Sequence, residues 1–290
     1  GVDHHHRTHD EGDDHRDMRL VVPATERRKE PGPACKAHSV DKEDEPMPLS
    51  TTGRYLILVV TFLGWLCGGM HMSVTQLAGQ AAAIDLLARS GELDKEHYQE
   101  LSKQIQKKSP EKPLSDVEEG QYRQWKALVG RWFAWFQCAF LFGAATGGLC
   151  FGRIGDRFGR STALAASILT YSALAGATSL AQSPEQFWGL WFVAGMGVGG
   201  IWPNGVALVA EAWSGLSRPM LAGVVGTAAN VGLFLFATVG ANFAITPEQW
   251  RWVTLVDSTP LVLGLFALVF LPESPRWLAT RAPLPDKPPA

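Results

Sequence analysis

Long apolar runs alternate with polar stretches along the chain, and their lengths indicate helices that cross a membrane. A bilayer core about 30 Å thick needs roughly 20 apolar residues in a helix. Six runs reach that length in windows of about 19 residues, and they are residues 55–77, 132–151, 162–181, 187–210, 220–243 and 252–271. The pattern therefore predicts an all-α membrane protein built as a bundle of six transmembrane helices.

The first and fourth runs are interrupted by glycine and, in the fourth, by proline, over residues 64–71 and 195–205. These runs would be the first helices of two consecutive three-helix sets of opposite topology, which predicts inverted 3+3 repeats. Such interruptions at corresponding positions of inverted repeats point to the solute site of a transporter. Close packing of neighbouring helices explains the same glycines equally well.

The positive charges of the short loops predict the topology, because cytoplasmic loops carry an excess of Lys and Arg. The opposite loops hold only Arg251, so both termini are expected in the cytoplasm of a multi-pass protein of the cell, or inner, membrane. The basic residues on the cytoplasmic side are Arg153, Arg157, Arg160, Arg218, Arg276, Arg281 and Lys287.

Two polar stretches flank or interrupt the predicted bundle, which extends over residues 54–278. Residues 1–53 are charged and lack apolar periodicity, which predicts a disordered cytoplasmic tail. His and Asp residues between positions 3 and 15 offer ligands for a divalent metal, although an unstructured tail of this kind more often only titrates. Residues 85–130 are expected to form an external loop that holds a short polar helix over residues 94–108.

Composition removes several functional classes from consideration. The 290 residues include 26 basic and 28 acidic side chains, so the net charge of −2 offers no field for binding nucleic acid. The four cysteines have no metal-ligand spacing. Outside the tail, no pairing of nucleophile and base and no metal-ligand set is evident, so we expect neither an enzyme nor a cofactor.

The loop after the second run identifies a family. Residues 152–160 read G-R-I-G-D-R-F-G-R, which resembles the G-x-x-x-D-R-x-G-R signature of the major facilitator superfamily. Residues 272–278 read P-E-S-P-R-W-L, which is similar to a sequence of sugar-porter-like members after their sixth helix. Residues 54–278 thus resemble the amino-terminal, six-helix half of a twelve-helix transporter.

The resemblance implies a gate at the cytoplasmic end, where a network of charges locks one conformation. The alternative is a set of ordinary interfacial charges. Asp156 is expected to cap the start of the third span and to pair with a cation. The residues that the resemblance assigns to the gate are Gly152, Asp156, Arg157, Gly159, Arg160, Glu211, Glu273 and Arg276.

A six-helix unit holds only half of the site in this superfamily. We therefore expect either a fragment, with residues 279–290 as the start of the central cytoplasmic linker, or a chain that pairs with a second six-helix chain. Residues 223–232 lack the G-P-x-x-G-G element of drug:proton antiporters. Residues 195–213 resemble sugar-porter-like members and aromatic-acid or carboxylate symporters, but Gly68, Gly69, Met70 and His71 stand where the acid symporters carry D-G-[FY]-D.

Two ionisable residues remain inside the spans, His71 and Asp257. Such residues are costly in a membrane and are functional candidates by default. Counted at about 1.5 Å per residue, both lie at similar depth and could face one another. We take His71 as the candidate proton-coupling group, because imidazole titrates near neutral pH, with Asp257 as its partner. A hydrogen bond without a transport role is the alternative.

Trp202, Asn204 and Asn230 are the candidate solute contacts, since a polar solute needs donors, acceptors and an aromatic surface. Hydrogen bonds between helices are the alternative for the two asparagines. The sequence therefore predicts a secondary active transporter that moves a sugar or organic acid within the lipid bilayer, with a proton as coupling ion. Drug or metabolite efflux, or a six-helix membrane anchor or sensor without transport activity, are the other possibilities.

Overall fold

A computed structural model describes residues 49–106 and 114–281, and all regular secondary structure within these ranges is helical. The all-α prediction is therefore confirmed. The histidine-rich part of the predicted tail and the last residues of the predicted linker lie outside the described ranges. The helices are α1 (Thr51–Arg89), α2 (Lys95–Gln106), α3 (Asp116–Phe158), α4 (Arg160–Thr178), α5 (Pro184–Ala212), α6 (Arg218–Asn242), α7 (Arg251–Asp257), α8 (Leu261–Phe270) and α9 (Pro275–Ala279).

Five helical stretches are long and apolar enough to cross a membrane, and they are Thr51–Arg89, Asp116–Phe158, Pro184–Ala212, Arg218–Asn242 and Arg251–Ala279. They correspond to five of the six predicted spans. The third predicted span is α4, whose 19 residues are less apolar. Ala163, Leu164, Ala165 and Ile168 of α4 are fully buried. Its small residues suit a helix packed among other helices rather than one facing lipid.

The helices around the predicted external loop are longer than expected. α1 has 39 residues and α3 has 43, so helix replaces most of the loop expected over residues 85–130. Ser115 and Glu118 start α3 with a reciprocal capping box. Extending an existing helix costs far less than starting one, which is why these polar sequences continue the apolar spans. α2 lies between them along the chain, and its Tyr98 ring stacks on the Tyr122 ring of α3 with ring centroids 5.5 Å apart.

The interruption of a span occurs in the sixth, not in the first or fourth. α1 and α5 are continuous helices, whereas the sixth predicted span divides into α7 and α8 between Asp257 and Leu261. Pro260 explains the break, because its ring lacks an N–H and clashes with the carbonyl four residues earlier. The glycine and proline residues that interrupt the first and fourth apolar runs thus leave α1 and α5 unbroken.

The two three-helix sets interlock. α1 packs on α6 and α3 packs on α5, so the first helix of each set contacts the second helix of the other. The glycines permit this close approach. A β-carbon on Gly69 would overlap the backbone of Ala229, and one on Gly147 would overlap the backbone of Met196. Helix packing thus accounts for these glycines, and the pairing fits inverted repeats.

Candidate functional site

A histidine and an aspartate meet inside the bundle. His71 Nδ1 and Asp257 Oδ2 form a hydrogen bond between α1 and the end of α7. The two side chains are 0% and 1% exposed, so bulk water reaches neither. Asp257 is the last residue of α7, directly before the break in the sixth span. The structure thus brings together the two residues that the sequence placed at similar depth.

Aromatic side chains from three other helices enclose the His71 imidazole. Trp191 of α5 stacks on it with ring centroids 4.4 Å apart, and Tyr171 and Phe140 lie at 5.5 and 5.8 Å. Trp191 is held in place because its Nε1–H donates to Thr75 Oγ1 at 2.8 Å. The pair therefore sits where α1, α3, α4, α5 and α7 converge.

Each member of the pair has an unused polar atom. His71 Nε2 and Asp257 Oδ1 are buried and have no hydrogen-bond partner within the described parts of the chain. Leaving a buried polar group unpaired costs about 1–3 kcal/mol. A buried charge without a partner is strongly unfavourable, so each member of the pair depends on the presence of the other.

The candidate gate residues lie toward one end of the bundle. We call it the basic end, defined by Arg54, Arg160, Arg218 and Arg276. Three of these arginines line one cavity, and Arg160 is joined to the segment that follows α8. Four parts of the chain therefore meet at the basic end, and they are the start of α1, the turn from α3 to α4, the turn from α5 to α6, and α9.

Glu273 caps α4 from a distant part of the chain. Its carboxylate accepts hydrogen bonds from the backbone N–H groups of Arg160 and Ser161 at 2.8 and 3.1 Å, and from Ser161 Oγ at 2.5 Å. Gly159, with φ of +107°, leaves room for this carboxylate. The expectation that Asp156 caps this helix was wrong. Asp156 lies within α3 and accepts from Arg160 Nη2 at 2.5 Å.

The expected charge network is smaller than the family resemblance implied. Glu211 accepts a hydrogen bond from Ser274 Oγ, which places it next to the Glu273 contacts. Arg157 and Arg276 form no ion pair with any residue of the described ranges. Gly152 has open space where a side chain would begin. Two of the expected cations are thus unpaired in this conformation.

Asn204 is a structural residue in this conformation. Its side chain is fully buried, and Nδ2 donates to the carbonyl oxygens of Phe151 and Gly200 at 3.0 and 2.9 Å. Its Oδ1 accepts from Arg160 Nη1 at 3.4 Å. Both amide protons are therefore used within the protein, which corrects the expectation that Asn204 offers donors to a solute. The alternative, hydrogen bonding between helices, describes it.

Trp202 and Asn230 lie on an open face formed by α1, α5 and α6. Trp202 is 38% exposed, and its ring packs on Trp65 with centroids 5.0 Å apart. The same ring lies beside Gly226. Asn230 follows Gly226 by one helical turn and is exposed. This face offers two indole rings and an amide to a bound molecule.

An ion-pair cluster that the sequence did not predict lies at the opposite end of the bundle. Asp85 Oδ2 accepts from Arg251 Nη1 at 2.6 Å, Trp250 Nε1 at 3.1 Å and Arg89 Nε at 3.1 Å. Arg251 also donates to the carbonyl of Ser179 at 2.9 Å. Asp85 is expected from the sequence in the external loop, whereas it belongs to α1. The signal in the sequence was the pair of opposite charges at this side of the bundle, Asp85 near the end of the first span and Arg251 at the start of the sixth.

The sequence of this chain is similar to those of known transport proteins. The family model described as "Sugar (and other) transporter" matches residues 93–284. Solute carrier family 22 member 1 from Bos taurus is 35% identical over 147 residues, which are 50% of this chain and 25% of that protein. The inner membrane metabolite transport protein YgcS from Escherichia coli (strain K12) is 33% identical over 139 residues, 48% of this chain and 31% of that protein.

A solved structure shares the fold. The proton:xylose symporter XylE bound to 6-bromo-6-deoxy-D-glucose, a member of the major facilitator superfamily, superposes with a TM-score of 0.58 at 20% sequence identity. The match covers 81% of this chain and 48% of that chain. The described helices therefore span about half the length of that solved structure, and the segments matched in the two curated relatives are a third of their length or less.

Proposed function

Because this chain belongs to the sugar (and other) transporter family of the major facilitator superfamily, we propose that it forms part of a secondary transporter that moves a small polar organic solute together with a proton. The chain is an integral, multi-pass membrane protein. The observation that carries the proposal is the buried pair of His71 and Asp257. A transporter of this kind needs a group that binds and releases a proton inside the bundle.

The occlusion of the pair supports a coupling role. The two side chains are 0% and 1% exposed, so no bulk water reaches them in this conformation. Exchange of a proton between the pair and water therefore requires a conformational change that hydrates the pair. The break between α7 and α8 lies directly beside Asp257, so movement of this segment offers a route for hydration.

The open face of α1, α5 and α6 supports binding of a solute with both polar and apolar surface. Trp65 and Trp202 give an aromatic platform for a sugar ring or an aromatic acid, and Asn230 gives a donor and an acceptor. No charged side chain lies among these contacts, which favours a neutral polar solute over a dianion. YgcS is described as a metabolite transport protein, and a metabolite of this kind fits the face.

The remaining parts of the proposal concern topology and gating. The basic end faces the cytoplasm of an inner membrane according to the positive-inside rule, together with the tail of residues 1–53 and the linker of residues 279–290. The contacts of Glu273, Glu211 and Arg160 act as the cytoplasmic gate. Alternating access uses a cavity between two six-helix units, so six further helices in the same polypeptide or in a second chain complete the site.

The test uses the full protein encoded by the gene, reconstituted into proteoliposomes that contain a pH-sensitive dye. D-xylose, D-glucose and benzoate are added in turn outside, and the internal pH is recorded. We expect at least one solute to acidify the lumen. The His71→Gln variant removes the titrating group and should lower solute-driven proton flux at least about tenfold while solute exchange without a gradient continues. His97→Gln, which removes an imidazole on α2, is the matched control and should behave as the wild type.

The outcomes separate the two parts of the proposal. Full solute-driven proton flux in His71→Gln would refute the coupling role and leave transport intact. Loss of solute exchange as well would indicate that His71 has a structural role. If none of the three solutes moves or drives proton flux in the wild-type protein, in either direction of the gradient, the proposal of proton-coupled uptake of such solutes fails and a membrane anchor or sensor is favoured.

A further inference from the structure

A cavity of ≈ 580 Å³ lies at the basic end, apart from the His71–Asp257 pair. Its wall comes from four elements: the start of α1, the end of α5, the start of α6, and α9. This volume lies within the range of small-molecule sites. The cavity is therefore large enough for a small ligand. Because its wall comes from four separate elements, it exists only in the folded protein.

The charge of the lining is unbalanced. Arg54, Arg218 and Arg276 contribute three guanidinium groups, and Glu211 contributes the one carboxylate among the lining residues. The Glu211 carboxylate already accepts the hydrogen bond of Ser274 Oγ. Within the described ranges none of the three arginines forms an ion pair.

Arg54 adds a second, independent observation. Its Nε is buried and has no hydrogen-bond partner among the described residues. A buried guanidinium N–H normally finds an acceptor, because leaving it unpaired costs free energy. The like charges of three arginines around one space also repel each other unless an anion lies between them. An anionic group in the cavity relieves this repulsion, and it reaches Arg54 Nε once the side chain turns toward the cavity.

We propose that this cavity binds a phosphate group. Guanidinium forks match the oxygen geometry of phosphate and donate two hydrogen bonds at once. Leu49 and Leu216 form apolar parts of the same wall, so the phosphate carries or adjoins an apolar moiety. A phospholipid headgroup at the membrane interface has this chemistry, and a soluble phosphate compound shares its anionic part. The cavity shares Glu211 with the proposed gate, but its test measures binding alone and does not depend on transport.

The test measures thermal unfolding by tryptophan fluorescence with the full protein in nanodiscs, where both ends of the bundle are accessible. Discs of pure phosphatidylcholine are compared with discs that contain increasing fractions of phosphatidic acid. In a parallel arm, inorganic pyrophosphate is added to the pure phosphatidylcholine discs. The variants are Arg54→Gln and Arg218→Gln. Arg153→Gln removes an exposed arginine outside the cavity and is the matched control.

Phosphatidic acid should raise the unfolding midpoint of the wild type and of Arg153→Gln. In Arg54→Gln and Arg218→Gln, the fraction of phosphatidic acid that gives half of the maximal increase in the unfolding midpoint should be at least about tenfold higher than in the wild type. A rise with phosphatidic acid alone identifies a lipid headgroup, and a rise with pyrophosphate identifies a soluble phosphate. Equal responses in all variants, or no response in the wild type to either compound, would overturn the proposal. Arg54→Lys retains the charge and replaces Arg54→Gln if that variant does not fold.

Discussion

The carboxylate of Glu273 occupies the space that a β-carbon on Gly159 would fill. Two stretches that the sequence analysis treated as separate motifs are therefore one structural unit. The glycine turns the chain from α3 into α4 with a positive φ, and the glutamate satisfies the N–H groups that this turn exposes. The relationship ties the start of α4 to the segment after α8.

Replacement of Gly159 by alanine should destabilise the bundle by about 1–3 kcal/mol, because a side chain at positive φ is strained and would displace Glu273. The midpoint of thermal unfolding in detergent measures the effect. Gly152→Ala is the matched control, since a β-carbon there meets open space and alanine favours helix. Equal midpoints for the two variants would contradict the steric argument.

Loss of the Glu273 side chain should cost more stability than loss of Asp156. Glu273→Ala removes three hydrogen bonds at the start of α4, which predicts a loss of about 2 kcal/mol. Asp156 is 66% exposed and pairs with Arg160 one turn away, so Asp156→Ala should cost about 0.5 kcal/mol or less. Chemical denaturation of both variants checks this order, and the reverse order would restore Asp156 as the cap.

The pair of Asp85 and Arg251 should show a clear coupling energy. The two side chains are 7% and 23% exposed, and a double-mutant cycle with alanine should give about 1–3 kcal/mol. The pair of Lys95 and Glu248 has 27% and 49% exposure, so its cycle should give less than about 1 kcal/mol. Comparable values for the two pairs would mean that burial does not strengthen the inner one.

Substitution of a glycine at the contact between α1 and α6 should lower the stability of the bundle. A β-carbon on Gly232 would overlap the carbonyl of Leu66, so Gly232→Ala must push the two helices apart and lower the unfolding midpoint. Gly148 of α3 has its nearest neighbour, the Gly199 carbonyl, at 3.4 Å from an added β-carbon. Gly148→Ala should therefore leave the midpoint unchanged or raise it, and a loss as large as that of Gly232→Ala would argue against the close contact.

Much of the helical architecture follows from the sequence because span length and apolarity are local properties. The meeting of His71 and Asp257 was also accessible, since few ionisable residues lie in the spans and their depth can be counted along a helix. The bounds of α1 and α3 were not, because polar helix extensions have no apolar signal. The break before Leu261 was missed although Pro260 marks it.

The contacts of Asn204 and Glu273 depend on tertiary neighbours, which a single sequence does not reveal. Asn204 finds the carbonyl of Phe151 in α3, and Glu273 finds a helix start far away along the chain. A motif indicates that such a residue matters for its family. It does not indicate which atoms the residue will contact, and that is why Asp156 was assigned the role that Glu273 performs.

The interlocked helix order also has a consequence for biosynthesis. His71 enters the bilayer with the first helix, whereas Asp257 follows 186 residues later. At ribosomal rates this delay lasts about 10 to 40 s. For most of that interval α1 lacks its partner helix α6, and for all of it the imidazole lacks its Asp257 acceptor. Truncation before α7 would therefore leave the His71 imidazole without its Asp257 acceptor inside the bundle.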